Sequence, residues 1–452
     1  MAERLVVVGG DAAGMSAASQ ARRRRDPDQL EIVAFERGDY SSYSACGLPY
    51  FVADDVHDVE RLIARTPEQH RANGIDLRMR HDVLAIDTVR RRVRVRDLDA
   101  GVERDEPFDQ LVIATGASPI RPDLPGIDTP GIFGVHTLPD SIAIRADIEP
   151  GVRHRAVIVG AGYIGLEMAE AMLARGFDVV VVHRGRQPMA TLDDDMGGRV
   201  ADAMRALGIE LHLGAEVQGF ATGTDGRVDA VVTSAGDIAA DIVVLGIGVR
   251  PNSQLASDAQ IRVGASGGIT TDSRMATSVD GIWAAGDCVE TRHRVSGQPV
   301  AIALGTHANK QGRVAGINVA GGRAEFPGVI GTAITQVCDT EIGRTGLSER
   351  ECERLGLDAV AATIESTTRA GYYPGAAPVA VKVVAERGTA RLLGAQIVGG
   401  VGSAKRIDSF ALAVWNEMRA AEFSQVDLAY APPFSPVWDP ALIAARKVAD
   451  LA

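Results

Sequence analysis

Two stretches of the chain, beginning at Leu5 and at Ala156, repeat one design: a short apolar strand, a tight glycine turn and a helix of small residues. The first reads Leu5-Val-Val-Val-Gly-Gly-Asp-Ala-Ala-Gly14 and continues Met-Ser-Ala-Ala-Ser-Gln-Ala-Arg. The second reads Ala156-Val-Ile-Val-Gly-Ala-Gly-Tyr-Ile-Gly165 and continues Leu-Glu-Met-Ala-Glu-Ala-Met-Leu. Each runs on into another apolar strand, expected at Leu30 to Phe35 and at Val179 to Val182, so each forms a βαβ unit of the dinucleotide-binding kind. Glycine lets the backbone approach a pyrophosphate, and the helix N-terminus offers unpaired N–H groups and partial positive charge. The second unit is complete at Gly160, Gly162 and Gly165. The first has Gly9, Asp11 and Gly14, and the Asp11 carboxylate crowds a pyrophosphate unless its side chain turns away.

The residue that ends the second strand tells the two units apart. In the first it is Glu36, able to accept hydrogen bonds from a ribose diol; in the second it is His183-Arg184-Gly-Arg186, with no carboxylate. A carboxylate there repels a 2′-phosphate, whereas arginines pair with it. The second unit is therefore expected to take NADPH, with NADH possible.

Other partners fit poorly. With 47 basic and 59 acidic residues the net charge of -12 repels a phosphate backbone, and aromatics at 4% leave little for stacking bases, so no nucleic acid is expected. The segment ahead of Gly9 is too short for a secretory signal and reads as a buried first strand. No stretch approaches the ~18 apolar residues of a membrane span, and the expected address is the cytoplasm. Leu111-Val-Ile-Ala-Thr-Gly-Ala-Ser-Pro119 and Gly281-Ile-Trp-Ala-Ala-Gly-Asp287 read as strands ending in small-residue turns, the second bringing Asp287 to where a cofactor's hydroxyls meet a strand end. From Gly328 to Ala452 there is no glycine fingerprint; strands at Val379 to Val384 and Leu392 to Val398 and a helix at Ile407 to Met418 suggest a separate α+β domain.

The four cysteines, Cys46, Cys288, Cys338 and Cys352, form no CxxC pair, so neither a disulfide framework nor a metal site is expected. Cys46 lies in Ser41-Ser-Tyr-Ser-Ala-Cys-Gly-Leu-Pro-Tyr50, a loop entering a helix. A thiol at a helix N-terminus has its nucleophilic thiolate favoured. The other three read as small buried residues.

Two nucleotide units, the Ala-Thr-Gly116 and Ala-Gly-Asp287 turns, and Ser42, Cys46, Gly47, Pro49 and Tyr50 in the pattern SxxxC-G-x-P-Y together resemble the pyridine nucleotide-disulfide oxidoreductases, in their branch with a single redox cysteine. The resemblance spans essentially the whole chain and is nearest to coenzyme A-disulfide reductases and NAD(P)H persulfide reductases. It implies an α/β fold with two Rossmann-like, three-layer, glutathione-reductase-like domains and a C-terminal α+β dimerisation domain. The expected boundaries are 1–118 with 246–322 for FAD, 119–245 for NAD(P)H and 323–452 for dimerisation. It implies a homodimer with a shared active site, in which electrons pass from NADPH through FAD and Cys46 to a small-molecule disulfide or persulfide such as CoA disulfide.

Residue by residue, the resemblance implies cofactor contacts from Gly9, Gly10, Ala13, Gly14, Glu36, Arg37, Val83, Ala114, Thr115, Gly116, Gly160, Gly162, Tyr163, Ile164, Gly165, Glu167, His183, Arg184, Gly248, Gly286, Asp287, Ala303 and Phe434. Tyr163 would cover the nicotinamide pocket. Substrate contacts are implied for Ser16, Gln20, Arg23, Arg71 and Asn309, with Ser42 beside the Cys46 sulfur. Coenzyme A-disulfide reductases often carry a tyrosine at the Phe434 position; Phe434 has no proton to give, which leaves Tyr372, Tyr373 or Tyr430 for that role. Oxidases and peroxidases of the branch typically carry a histidine where this chain has Ala12. Two alternatives stay open: an oxidase acting through a Cys46 sulfenate, and a flavoprotein reductase of a carrier protein.

Overall fold

The computed structural model describes residues 2–148 and 154–452. Its first five-stranded sheet is all parallel, in the order Ile282–Ala284, Gln110–Ile113, Glu3–Val8, Leu30–Phe35, Asp76–Arg78. Leu5, Val6 and Val7 are fully buried, as expected of a central parallel strand covered on both faces. The second parallel sheet repeats the plan: Ile132–Gly134, Ile242–Leu245, Arg155–Val159, Asp178–His183, Glu210–Leu213. In each sheet the strand before the glycine turn is central, and the chain leaves it to opposite sides. Ligands in such sheets bind at that switch point, outside the carboxyl ends of the strands.

Each parallel sheet is accompanied by a three-stranded antiparallel sheet that the glycine patterns do not foreshadow: His81–Asp87, Arg92–Asp97 and Glu103–Pro107, then Val217–Thr222, Val228–Thr233 and Gly236–Ala239. Beyond them lies a five-stranded antiparallel sheet, in the order Ala333–Val337, Thr340–Gly346, Leu392–Gly399, Pro378–Glu386, Ala359–Thr367. Helices Ile407–Trp415 and Pro440–Ala449 share its apolar core. The first of these stops short of the expected Met418, because Glu417 takes a positive φ of 55° and leaves the helical path.

The helix of the first glycine unit, Ala12–Arg22, is packed against Gly305–Val319. A Cβ on Gly312 would lie 2.2 Å from the Ala13 carbonyl oxygen, and one on Gly316 2.2 Å from that of Ala17. The two backbones therefore touch directly, which fixes the Asp287 turn and Asn309 beside the first nucleotide unit.

Candidate active site

The two glycine turns are built alike. Gly9 and Gly160 have φ values of 108° and 105°, and a Cβ at either would collide with a neighbouring strand's carbonyl, Ala114 O at 2.1 Å or Gly246 O at 2.3 Å. Gly14 and Gly165 would each strike the carbonyl of that first glycine, at 1.9 and 2.0 Å. Gly162 differs: a Cβ there would meet nothing within 4 Å. The space over the second turn is open, as the approach of a pyrophosphate requires.

At the first turn, Glu36 accepts the backbone N–H groups of Gly10 and Gly38, each at 2.7 Å. Each of its oxygens keeps a lone pair for a ribose hydroxyl. Asp11 is largely buried near the backbone N–H groups of Tyr43 and Ala12, with its Oδ1 left without a hydrogen-bond partner. Burial, then the Glu36 carboxylate, pushes its pKa up to about 6. Ser41, fully buried, donates to Gly10 O at 2.7 Å, so this turn and the loop leading to Cys46 are tied directly. Asp287 is also largely buried, its pKa raised by that burial, and its Oδ1 has no hydrogen-bond partner. An orphaned carboxylate oxygen at a strand end fits the hydroxyls of FAD. Gln311 accepts from Gly286 N at 2.8 Å and holds this turn in place. Thr115 donates to Asn252 O at 2.6 Å and fixes the Ala114 to Gly116 turn.

Cys46 is exposed and unpaired, in the 3-10 turn Ala45–Gly47 ahead of the six-residue helix Leu48–Ala53. Other influences at this sulfur oppose the expected helix field. Partial burial raises the thiol pKa first, and the Glu167 and Asp287 carboxylates raise it further. Those two carboxylates come from the second and first nucleotide units, so both units contribute charge around Cys46. Glu167 is itself pushed up to about 6 by burial, against a hydrogen bond donated by Thr335 at 3.1 Å. Glu167, Glu170, Tyr50 and Cys338 line a cleft of about 440 Å³.

On the substrate side the structure joins two of the expected residues directly: Ser16 donates to Asn309 Oδ1 at 2.8 Å across the helix pair. Gln20 is braced by Arg24 Nη1 at 2.8 Å, and Arg23 stands exposed at the helix end. Arg71 is spent on Leu77 O and Glu68, at 3.0 and 3.1 Å. Ser42, at a positive φ of 51°, bonds His70 Nε2 at 2.9 Å. His70 and Thr335 carry no local sequence signal; they are found only because strands and helices distant in sequence meet here. Tyr430 and Tyr372 lie near one another, both exposed. Among the described residues no hydrogen bond joins Tyr372, Tyr373, Tyr430 or Phe434 to the Cys46 loop. Phe434 and Tyr372 are 76% and 78% exposed, which leaves both faces free for another chain.

At the second unit His183 Nδ1 accepts Ala161 N at 3.4 Å, while its Nε2 is buried without a partner. Arg184 and Arg186 are exposed, and neither makes an ion pair among the described residues. Tyr163 opens the helix Tyr163–Ala174, with Glu167 one turn on, and burial raises its hydroxyl pKa.

Residues 3–312 match the family model for the pyridine nucleotide-disulphide oxidoreductases, and residues 332–442 match that family's dimerisation domain. The NAD(P)H coenzyme A polysulfide/persulfide reductase of Pyrococcus horikoshii is 39% identical over 99% of this chain and 98% of its own length. The structure of an NAD-dependent persulfide reductase from A. fulgidus is 38% identical, covers 98% of this chain and 82% of that one, and superposes with a TM-score of 0.94. An engineered water-forming NADPH oxidase bound to NADPH is 29% identical over 99% of each chain, with a TM-score of 0.93; its replacements remove an aspartate and introduce two arginines. No described helix is long and apolar enough to cross a membrane. By this match over most of its length, the chain belongs to the pyridine nucleotide-disulphide oxidoreductases and is an FAD-dependent NAD(P)H-disulfide oxidoreductase.

Proposed function

We propose that the protein is a homodimeric, cytoplasmic reductase of a small-molecule disulfide or persulfide of the coenzyme A type, drawing electrons from NADPH and using Cys46 as its one redox cysteine. The observation that carries this reading is Cys46 itself, exposed and unpaired on the loop that Ser41 ties to the first glycine turn. Residues 1–118 with 246–322 would form the flavin domain, 119–245 the NAD(P)H domain and 323–452 the dimer domain. Gly9, Gly14, Glu36 and Asp287 would hold FAD, and Gly160, Gly162, Gly165 and His183 the nicotinamide dinucleotide. Bound flavin supplies a two-electron carrier between nicotinamide and sulfur.

Cys46 Sγ attacks one sulfur of the acceptor disulfide, forming a mixed disulfide and releasing a thiolate that takes up a proton. Two electrons and one proton from the nicotinamide then restore the Cys46 thiolate and release the second thiol. Ser16, Asn309, Gln20 and Arg23 orient the acceptor along the helix pair. The thiolate released first draws its proton from Tyr372, Tyr373 or Tyr430, presented across the dimer. Exposed Arg184 and Arg186, with no carboxylate beside them, favour the 2′-phosphate of NADPH. The engineered oxidase, which binds NADPH after loss of an aspartate and gain of arginines, supports the same charge logic. The persulfide reductase named for NAD supports the opposite preference, and Arg184 and Arg186 of this chain weigh against it.

The test is anaerobic NADPH turnover with CoA disulfide, other small disulfides, polysulfide and peroxide. Cys46→Ser is expected to abolish turnover with the preferred sulfur acceptor, and Arg184→Ala to remove most of the NADPH advantage in kcat/KM. Turnover with oxygen alone would establish the oxidase reading instead, and full activity of Cys46→Ser would remove the cysteine from the electron path.

A further inference from the structure

The loop that carries Cys46 is fastened along its backbone before it reaches the sulfur. Ala64 N donates to Ser42 O and Ser44 N to Leu62 O, each at 2.8 Å, and Tyr43 forms an antiparallel bridge with Ile63. These contacts hold Ser42 at its positive φ of 51°, a region that a non-glycine residue keeps only when its surroundings impose it. From there Ala45 N donates to Tyr43 O at 3.1 Å and Gly47 N to Ser44 O at 2.8 Å. The chain from half-buried Ser42 to exposed Cys46 is thereby drawn into one short turn.

The Ser42 side chain meets a histidine. His70, on the helix Pro67–Ala72, is 2% exposed, and its Nε2 lies 2.9 Å from Ser42 Oγ. Its Nδ1 is buried without a hydrogen-bond partner. Burial, then the Arg65 guanidinium, lowers the His70 pKa, so near neutral pH the ring is uncharged and carries a single N–H. With that proton on Nδ1, a buried N–H would have no acceptor, a fault folded proteins rarely keep. With it on Nε2, the ring donates to Ser42 Oγ and only a lone pair is left over. Ser42, already accepting, then keeps its own hydrogen for another acceptor. Ser41 is a poor one: its hydroxyl donates to Gly10 O at 2.7 Å and stands 3.4 Å from Ser42 Oγ, long for two hydroxyls. The nucleophile that the same turn carries is the Cys46 sulfur, exposed and unpaired.

We propose that His70 is a positioning residue for the redox cysteine: by donating Nε2–H to Ser42 Oγ it turns the Ser42 hydroxyl hydrogen toward the Cys46 sulfur, where it favours the thiolate. No proton leaves Ser42 or His70 in this role. Such a donor offsets the burial and the carboxylates that oppose ionisation of this thiol. The inference rests on the reading of Cys46 as the redox cysteine.

The test is the rate at which iodoacetamide alkylates Cys46 at pH 7 in reduced, desalted holoenzyme, followed by mass spectrometry of the peptide that carries it. Alkylation reports the thiolate without turnover, so its outcome is separate from the identity of the acceptor and from the activity of Cys46→Ser. Ser42→Ala is expected to slow it severalfold, with kcat for the sulfur acceptor falling alongside and KM for the dinucleotide unchanged. His70→Leu is expected to give the same loss and the double variant no further loss. His70→Gln, whose amide N–H replaces Nε2–H, is expected to keep most of the wild-type rate. Nitrogen-15 NMR of ring-labelled histidine, assigned with His70→Gln, is expected to show the His70 proton on Nε2. A proton on Nδ1, a wild-type rate in Ser42→Ala, additive losses in the double variant, or His70→Gln as slow as His70→Leu would overturn the proposal. Because His70→Leu stands to loosen the loop, the tautomer and the Ser42→Ala rate decide the question without it.

Discussion

Asp11 sits where the middle glycine of a phosphate-binding turn is expected, and the structure buries its carboxyl. It lies near the Tyr43 and Ala12 backbone N–H groups and the Glu36 and Asp287 carboxylates, and its Oδ1 has no hydrogen-bond partner. The folded pKa of about 6 lies above the ordinary 3.8, so the folded chain holds this proton more tightly than the unfolded one. Stability from this group is complete below about pH 4 and is lost as pH rises through 6, amounting to up to about 3 kcal/mol. Asp11→Asn keeps the shape and removes the charge. Urea denaturation of the flavin-free protein is expected to show the variant more stable at pH 8 by up to about 3 kcal/mol, with the difference vanishing near pH 4. A destabilised variant at pH 8 would mean the ionised carboxylate is needed where it stands. Neither this raised carboxyl pKa nor the raised thiol pKa of Cys46 is legible in the sequence, because Glu36, Glu167 and Asp287 come to these groups from distant positions.

The strand, turn and helix of each nucleotide unit were legible, since a glycine whose Cβ would strike a carbonyl at about 2 Å tolerates no other residue and so marks its own place. The long helix Gly305–Val319 was not read as a unit, because what defines it is its partner. Its Gly312 and Gly316 lie against the backbone of Ala13 and Ala17, four residues apart on each helix and in parallel register. The contact is main chain to main chain, so an added methyl finds no flexible side chain to displace and the helices must part. Gly316→Ala is expected to destabilise the protein by about 2 kcal/mol, an overpacking cost, despite the better helix propensity of alanine. Chemical denaturation measures this, and a neutral or stabilised variant would show that the helix pair can separate freely. The antiparallel sheets beside each parallel sheet were missed because short alternating strands such as Arg92–Asp97 give weak signals in an arginine-rich chain.

Across the whole molecule, no hydrogen bond among the described residues joins the Cys46 loop to the C-terminal aromatics. The Ser16–Asn309 pair joins two helices at the first nucleotide unit, whereas Tyr372, Tyr430 and Phe434 stand exposed on the C-terminal segment, with Trp438 and Val437 also turned to solvent. Exposed aromatics of this size on a domain matching the family's dimerisation domain indicate a surface that is covered by another copy. The arrangement predicts that each site takes its cysteine from one subunit and its aromatic wall from the other. Mixed dimers test this directly. Cys46→Ser is expected to be inactive, and Tyr430→Ala combined with Phe434→Asp severely impaired. When the two variants are unfolded together and refolded, half the dimers are mixed and each mixed dimer contains one intact site, so roughly a quarter of wild-type activity is expected to return. If each chain instead builds its own site, no mixture exceeds the sum of its parents, and the C-terminal aromatics serve association alone. A sequence is read one chain at a time, and a site completed by a second copy leaves on it only unpartnered apolar residues such as Phe434, whose meaning depends on the symmetry of the dimer.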